Sequence, residues 1–298
     1  MRVLVTGGSG FIGRHVVARL RARGDEVTVA DLRPFGDPLV RCVVGDLRER
    51  AVVDEALEVG TDAVVHLAAI TSVLQSVKDP HGVFLTNVVA TEHLLERCRE
   101  VGVGNFVLAS TNAVAGDVGR SRIDESLVLR PLTPYGATKA AAEMLMSAYA
   151  ASYGIVTVAL RLTNVYGIGM QEKDSVVARL MRAALAGGGI EVYGDGEQLR
   201  DYVFVTDVAE AFEWALGFAR PEVLTIGAGH SVSMNELHEL ACDVTGVAIG
   251  KAHVAAKPGE MPAVIVDVTR ASASGWSPRH AVRAGLAETW RDFGGSAG

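Results

Sequence analysis

The chain begins with a strand-like run, RVLVT, that passes directly into the loop GGSGFIG and then into a helical pattern closing at Gly24. A glycine-rich turn between a strand and a helix constrains the fold more than any other stretch of this sequence. At Gly7, Gly10 and Gly13 it lets the backbone approach a pyrophosphate. It also points the unpaired N–H groups and the positive dipole end of the helix at that anion. A helix that leaves a buried strand in this way crosses the sheet and returns to a neighbouring parallel strand.

The first half of the sequence keeps that rhythm. EVTVAD, VRCVVGD, AVVHLAA, NFVLAST and IVTVALRL are short and almost wholly apolar, as strands covered on both faces are. Helical patterns separate them. One long helix is predicted after Pro80, through VFLTNVVATEHLLERCREVG, and another from Tyr135 to about Tyr153. The alternation predicts an α/β chain, a Rossmann-type doubly wound parallel sheet. After Asn164 the order changes to glycine-containing loops, short strands near IEVYG and RDYVFV, and helices near 175–186, 206–219, 233–245 and 279–293. Residues 1–163 read as the dinucleotide-binding domain. Residues 164–298 read as mainly a smaller C-terminal substrate lobe, with some segments returning to the first domain.

Composition narrows the partners. With 28 Lys and Arg against 35 Asp and Glu, the net charge is −7 and no long basic run exists. That argues against nucleic acid or an anionic membrane. Cys42, Cys98 and Cys242 form no CxxC or His/Cys cluster, so neither a disulfide framework nor a metal site is expected. No apolar run approaches the roughly 20 residues of a membrane span, and the N-terminus shows no signal-like stretch. The expectation is a cytoplasmic protein.

Two further features carry chemistry. Tyr135 and Lys139 in TPYGATKAAAEM lie four apart, which on a helix places phenol and ammonium on one face. A fixed cation favours the phenolate, so the pair describes a proton-transfer device. Asp31 ends the second strand, where a carboxylate accepts hydrogen bonds from ribose hydroxyls and favours NAD over NADP; Arg33 nearby would blunt that preference. Asp46, in GDL, would either accept from an adenine amine, with Leu47 packing on the ring, or cap the helix that follows.

Taken together, TGGxGFxG, the acidic end of strand two, HLAA at 66–69, Asn87 in TNVVAT, YGATK, RLTNVYGIG, YGDGEQLRDYVFVTDVAEA and GWSP span nearly the whole chain. In this order they resemble the extended short-chain dehydrogenase/reductase family, and specifically its NAD-dependent sugar-nucleotide epimerases and dehydratases, such as UDP-glucose 4-epimerase. The resemblance implies that Tyr135 is the acid/base acting on a sugar hydroxyl. Lys139 would lower its pKa and bind the nicotinamide ribose, and Thr111 would hold the same hydroxyl. Phe11, Ile12, Leu32, Leu67, Ala68, Ala69 and Asn87 join the glycines, Asp31, Asp46 and Leu47 as implied NAD contacts. Thr71, Ser72, Asn112, Asn164, Arg200 and Lys257 are the implied substrate contacts, the last standing where the family often has arginine.

The departures from the family pattern guide the choice of reaction. Ala115 replaces the usual tyrosine of VYG. Dehydratases of this family carry Asp-Glu after the catalytic Ser/Thr, whereas this chain has Asn112 and Ala113. Without an acid there, elimination lacks its proton donor. The reading is therefore NAD-dependent epimerisation at C4 of a UDP-hexose or derivative, through a 4-keto intermediate. The alternatives are a 4-ketoreductase or dehydratase of the same family, or a non-catalytic dinucleotide sensor. A homodimer is expected, with Ala140, Met144, Ala148, Val89 and Leu94 as a candidate seam.

Overall fold

The computed structural model describes residues 1–256 and 261–295. The chain divides into two compact units. The first is Met1–Asp117, Glu125–Leu162 and Ala209–Leu224; the second is Val118–Asp124, Thr163–Val208 and Thr225–Gly298.

The first unit is built on a sheet of seven strands. In chain order they are β1 (Arg2–Thr6), β2 (Glu26–Asp31), β3 (Arg41–Val44), β4 (Ala63–His66), β5 (Asn105–Thr111), β6 (Val156–Leu162) and β7 (Glu222–Ile226). Their order across the sheet is β7-β6-β5-β4-β1-β2-β3. Strands β1 to β6 pair in parallel. The order reverses at β1, which has β2 on one side and β4 on the other. In open α/β sheets ligands bind outside the carboxyl ends of the strands at such a reversal.

Helices α1 (Phe11–Ala22), α2 (Arg50–Ala56), α3 (Val73–Lys78), α4 (Pro80–Phe84), α5 (Ala90–Val101) and α6 (Pro134–Tyr153) belong to the same unit. Leu4, Val64, Phe106 and Leu108 of the strands pack with Leu94, Leu95, Ala142 and Met146 of α5 and α6 in one buried cluster. Leu94 is completely buried there, so it cannot belong to a subunit seam. Leu47 is in the same buried cluster. The long helix expected after Pro80 is interrupted. A π-helical turn, Leu85–Val89, joins α4 to α5 and carries Asn87. Such turns rarely occur without a local reason and often mark functional positions.

Among its described residues the second unit contains three small sheets. Asn164–Tyr166, Leu199–Phe204 and Ser231–Ser233 form one, with the middle segment at its centre. Gly189–Tyr193 pairs with Gly250–Val254, and Arg122–Ile123 with Ile265–Val266. Helices α7 (Val176–Ala186), α8 (Val205–Ala215), α9 (Met234–Thr245), α10 (Thr269–Ala273) and α11 (Val282–Asp292) follow in chain order. The chain passes from the second unit into the first within α8. The GWSP motif has a structural task here. Trp276 donates its ring N–H to the Asp207 carbonyl, and the Asp207 carboxylate accepts the backbone N–H groups of Arg279 and His280. Among the described residues no helix is long and apolar enough to cross a membrane, and no group of three or more His, Cys, Asp or Glu is placed to hold a metal ion.

Candidate active site

At the nucleotide end the backbone sets the geometry. Gly7 leaves β1 with φ +71°, and a Cβ there would lie 2.7 Å from the Ala68 nitrogen, so only glycine lets the loop pass this close to the end of β4. At Gly13 a Cβ would fall 2.2 Å from the Gly7 carbonyl oxygen, which ties the start of α1 to the turn. Gly10 is the N-cap of α1, and Phe11 and Ile12 open its first turn, half-buried. The Asp31 carboxylate accepts one backbone N–H from Ser9 (3.0 Å) and one from Arg33 (3.1 Å). Each of its oxygens can accept a second bond, so capacity for a ribose diol remains. Arg33 turns back to donate to the Ser9 carbonyl. Leu32 is exposed. Asp46 does not cap α2. Its carboxylate accepts the Arg48 N–H and pairs with the Arg48 guanidinium, which holds it below the usual carboxylate range.

The catalytic end is built by α6. Thr133 caps the helix by accepting the Gly136 N–H, and Pro134 occupies its first position. Tyr135 therefore stands in the first turn, where the helix dipole favours negative charge. The Thr111 hydroxyl, at the end of β5, accepts the Ala113 N–H and acts on the phenol of Tyr135. Burial raises the pKa of Tyr135, and Thr111 opposes that rise. The net direction is thus upward in the protein alone, where spacing had suggested a cation-depressed phenol. Lys139 is buried and makes no hydrogen bond among the described residues, so its donors are free for a ligand. Burial lowers its pKa to about 8, partly offset by the Glu143 carboxylate one turn further along. At neutral pH it keeps its charge.

Beneath these groups lies a layer of neutral hydrogen bonds whose directions can be deduced. Thr91 donates its hydroxyl proton to the Asn87 carbonyl (2.7 Å), so toward His66 Nε2 (3.0 Å) it acts as acceptor. His66 is therefore protonated on Nε2, and its Nδ1 accepts from Thr6 (2.6 Å). Both ring partners are side-chain hydroxyls. Burial first, and the Lys139 charge second, depress the pKa of His66 to about 3, so the ring is neutral. Asn87 spends its whole amide here. It accepts from the Ile70 N–H (2.8 Å) and donates to the Ile70 carbonyl (3.0 Å) and to Thr138 (3.0 Å). It thus fixes the segment Leu67, Ala68, Ala69 and Ile70 against α6.

The remaining expected contacts fall elsewhere. Thr71 is exposed, and Ser72 caps α3 by accepting the Gln75 N–H. Asn112 begins the 3₁₀ turn after Thr111. Asn164 and Arg200 lie on adjacent strands of the second unit, Asn164 donating to the Asp201 carbonyl. Lys257 lies outside the described residues. The sequence reading missed Glu143, Arg161, Ser110, Thr6, Thr91 and Thr133. Two signals for them were available: Thr-Pro ahead of a helix marks a cap, and Glu143 continues the four-residue spacing of Tyr135 and Lys139.

Residues 3–227 match the model of the NAD-dependent epimerase/dehydratase family. The chain belongs to this family. A UDP-glucose 4-epimerase of Lactobacillus helveticus is 32% identical, with 94% of this chain and 93% of that one covered. A dTDP-glucose 4,6-dehydratase of Streptomyces niveus is 34% identical over 97% of this chain and 91% of that one. Among solved structures, the UDP-glucose 4-epimerase of Thermus thermophilus in complex with NAD superposes with a TM-score of 0.92, at 36% identity and with both chains fully covered. The cofactor of this family member is NAD. The residues present fit it: a glycine turn tightly closed at the sheet reversal, an Asp31 carboxylate with acceptor capacity left, and a buried ammonium with unused donors.

Proposed function

We propose that this protein epimerises C4 of a UDP-hexose or a close derivative. One observation carries the choice among family reactions. Thr111 acts on the Tyr135 phenol with Lys139 one turn along, and the turn beginning at residue 112 presents Asn112 and Ala113 with no acid. Tyr135 takes the proton of the sugar 4-hydroxyl, which Thr111 holds in line. Lys139 and the N-terminal end of α6 stabilise the phenolate. NAD, when bound, would supply the reversible acceptor for the C4 hydride, chemistry that no side chain here provides. After the 4-keto sugar has turned, Tyr135 gives the proton back to the new 4-oxygen. Asn164, Arg200 and Lys257 are assigned to the nucleotide diphosphate, and Thr71 and Ser72 to the sugar.

Tyr135→Phe is expected to cut UDP-glucose/UDP-galactose interconversion by roughly 10³-fold, within the range for a lost general acid/base, and to leave NAD bound. Full turnover by that variant would sink the assignment. A dehydratase would betray itself by a product lighter by one water, and a ketoreductase by stoichiometric consumption of reduced cofactor. We also assign a homodimer. Val73, Leu74 and Val77 on α3, Phe84 on α4 and Met144 on α6 are exposed on helices that pack together. A monomer in sedimentation at micromolar concentration would remove it.

A further inference from the structure

Glu143 lies one helical turn past Lys139 and two past Tyr135 on α6, so the three share a face. Its carboxylate is buried. Arg161 on β6 donates to it through Nε (3.1 and 3.3 Å) and Nη2 (2.7 Å), and Ser110 on β5 donates its hydroxyl to the same group. The β5–β6 register sets Ser110 directly beside Arg161, so the sheet delivers both donors to one point under the helix. Nη1 of Arg161 has no hydrogen-bond partner among the described residues.

Burying two ions costs several kcal/mol each before their attraction is counted, and an apolar pair of similar volume would often be as stable. Stability alone therefore does not account for an ion pair at this place. What the pair does is fix the Glu143 carboxylate on the face of α6 that carries Lys139, one turn away. The carboxylate is gripped by the Arg161 guanidinium and the Ser110 hydroxyl, and it acts on Lys139 against the desolvation that depresses it.

We propose that Glu143 is a positioning residue of this site, a buried counter-charge that keeps the Lys139 ammonium protonated and so able to support the Tyr135 phenolate. The other charged or titratable groups on the packed elements do not take this role. His66 on β4 is neutral, and Arg161 on β6 is bound to Glu143 itself. Glu96 on α5 is engaged by Arg99 and Tyr149, and Glu92 lies on the same helix. Lys78, Asp79 and His81 on and between α3 and α4 are exposed and screened by solvent.

The proposal rests on Tyr135 and Lys139 as the catalytic pair, and its test reads Lys139 directly. The lysines of the chain are Lys78, Lys139, Lys173, Lys251 and Lys257, so ¹³C labelling at lysine Cε gives a simple spectrum in which Lys139→Met assigns the resonance. The wild-type Lys139 is expected to be charged at pH 7. Glu143→Gln is expected to lower its titration midpoint by roughly one pH unit or more, a typical effect of removing a nearby opposite charge. Glu143→Asp should lower it by less, and the alkaline limb of the kcat profile should move with the midpoint while KM changes little. A purely structural Glu143 would lower the melting temperature and leave the midpoint where it was. The proposal is overturned by an unmoved midpoint in folded Glu143→Gln, or by a wild-type Lys139 already neutral at pH 7, which needs no variant. A shifted midpoint without turnover of any UDP-hexose supports Glu143 in this role and counts against the epimerase reading alone.

Discussion

The two ends of the first unit's site handle charge in opposite ways. At the nucleotide end the polar contacts are local and half-exposed: Asp31 takes backbone N–H groups from the adjoining turns, and Asp46 pairs with Arg48 two residues away. At the catalytic end Lys139, Glu143 and Arg161 are buried, and the groups that bond Glu143 come from distant strands. Lys139 and Glu143 stand on α6, Arg161 on β6 and Ser110 on β5. The contrast follows from what each end must do. Holding a dinucleotide requires shape and a few acceptors, which the backbone supplies. Moving a proton at neutral pH requires shifted pKa values, and burial with a defined counter-charge is the means of shifting them.

That contrast can be broken first at the glycine turn. Gly13→Val would push a branched side chain into the Gly7 carbonyl. NAD affinity measured by calorimetry should fall by at least ~100-fold, since a turn that opens cannot carry the pyrophosphate. Near-normal binding would mean that backbone shape is not what governs this end.

Lys139→Met probes the catalytic end. The folded pKa of Lys139, about 8, lies below its usual value of 10.5, so the cost of burying the charge is present in full below pH 8 and fades as pH rises to 10.5. The variant should therefore be inactive yet more stable at pH 7, by on the order of 2 kcal/mol in urea unfolding. The gap should close as pH rises from 8 toward 10.5. A destabilised variant at pH 7 would show that Lys139 is held by favourable contacts after all. The smallest effect belongs to Arg48→Ala, which removes a half-exposed ion pair. Stability should change by no more than about 0.5 kcal/mol.

The same contrast decides what the sequence could reveal. Gly7, Gly13 and Asp31 are legible because a turn between a strand and a helix is written in adjacent residues. Tyr135 and Lys139 are legible because helical spacing is. The sheet was legible from its apolar runs, although the π-turn that aims Asn87 at Ile70 left no mark in a pattern that reads as continuous helix. Ser110 and Arg161 meet only because β5 and β6 are neighbours in register, and Thr6, His66 and Thr91 meet through the β1–β4 pairing and the helix above it. Contacts that depend on strand order are invisible until the order is known.

The hydrogen-bond directions under the site have a consequence for traffic of protons. From Thr6 the chain of donors runs through the His66 ring and Thr91 and stops at the Asn87 carbonyl; from Asn87 it runs through Thr138 and stops at the Tyr135 carbonyl. A backbone carbonyl has no proton to pass on, so both routes are dead ends. Neither route can carry a proton away through this layer of hydrogen bonds.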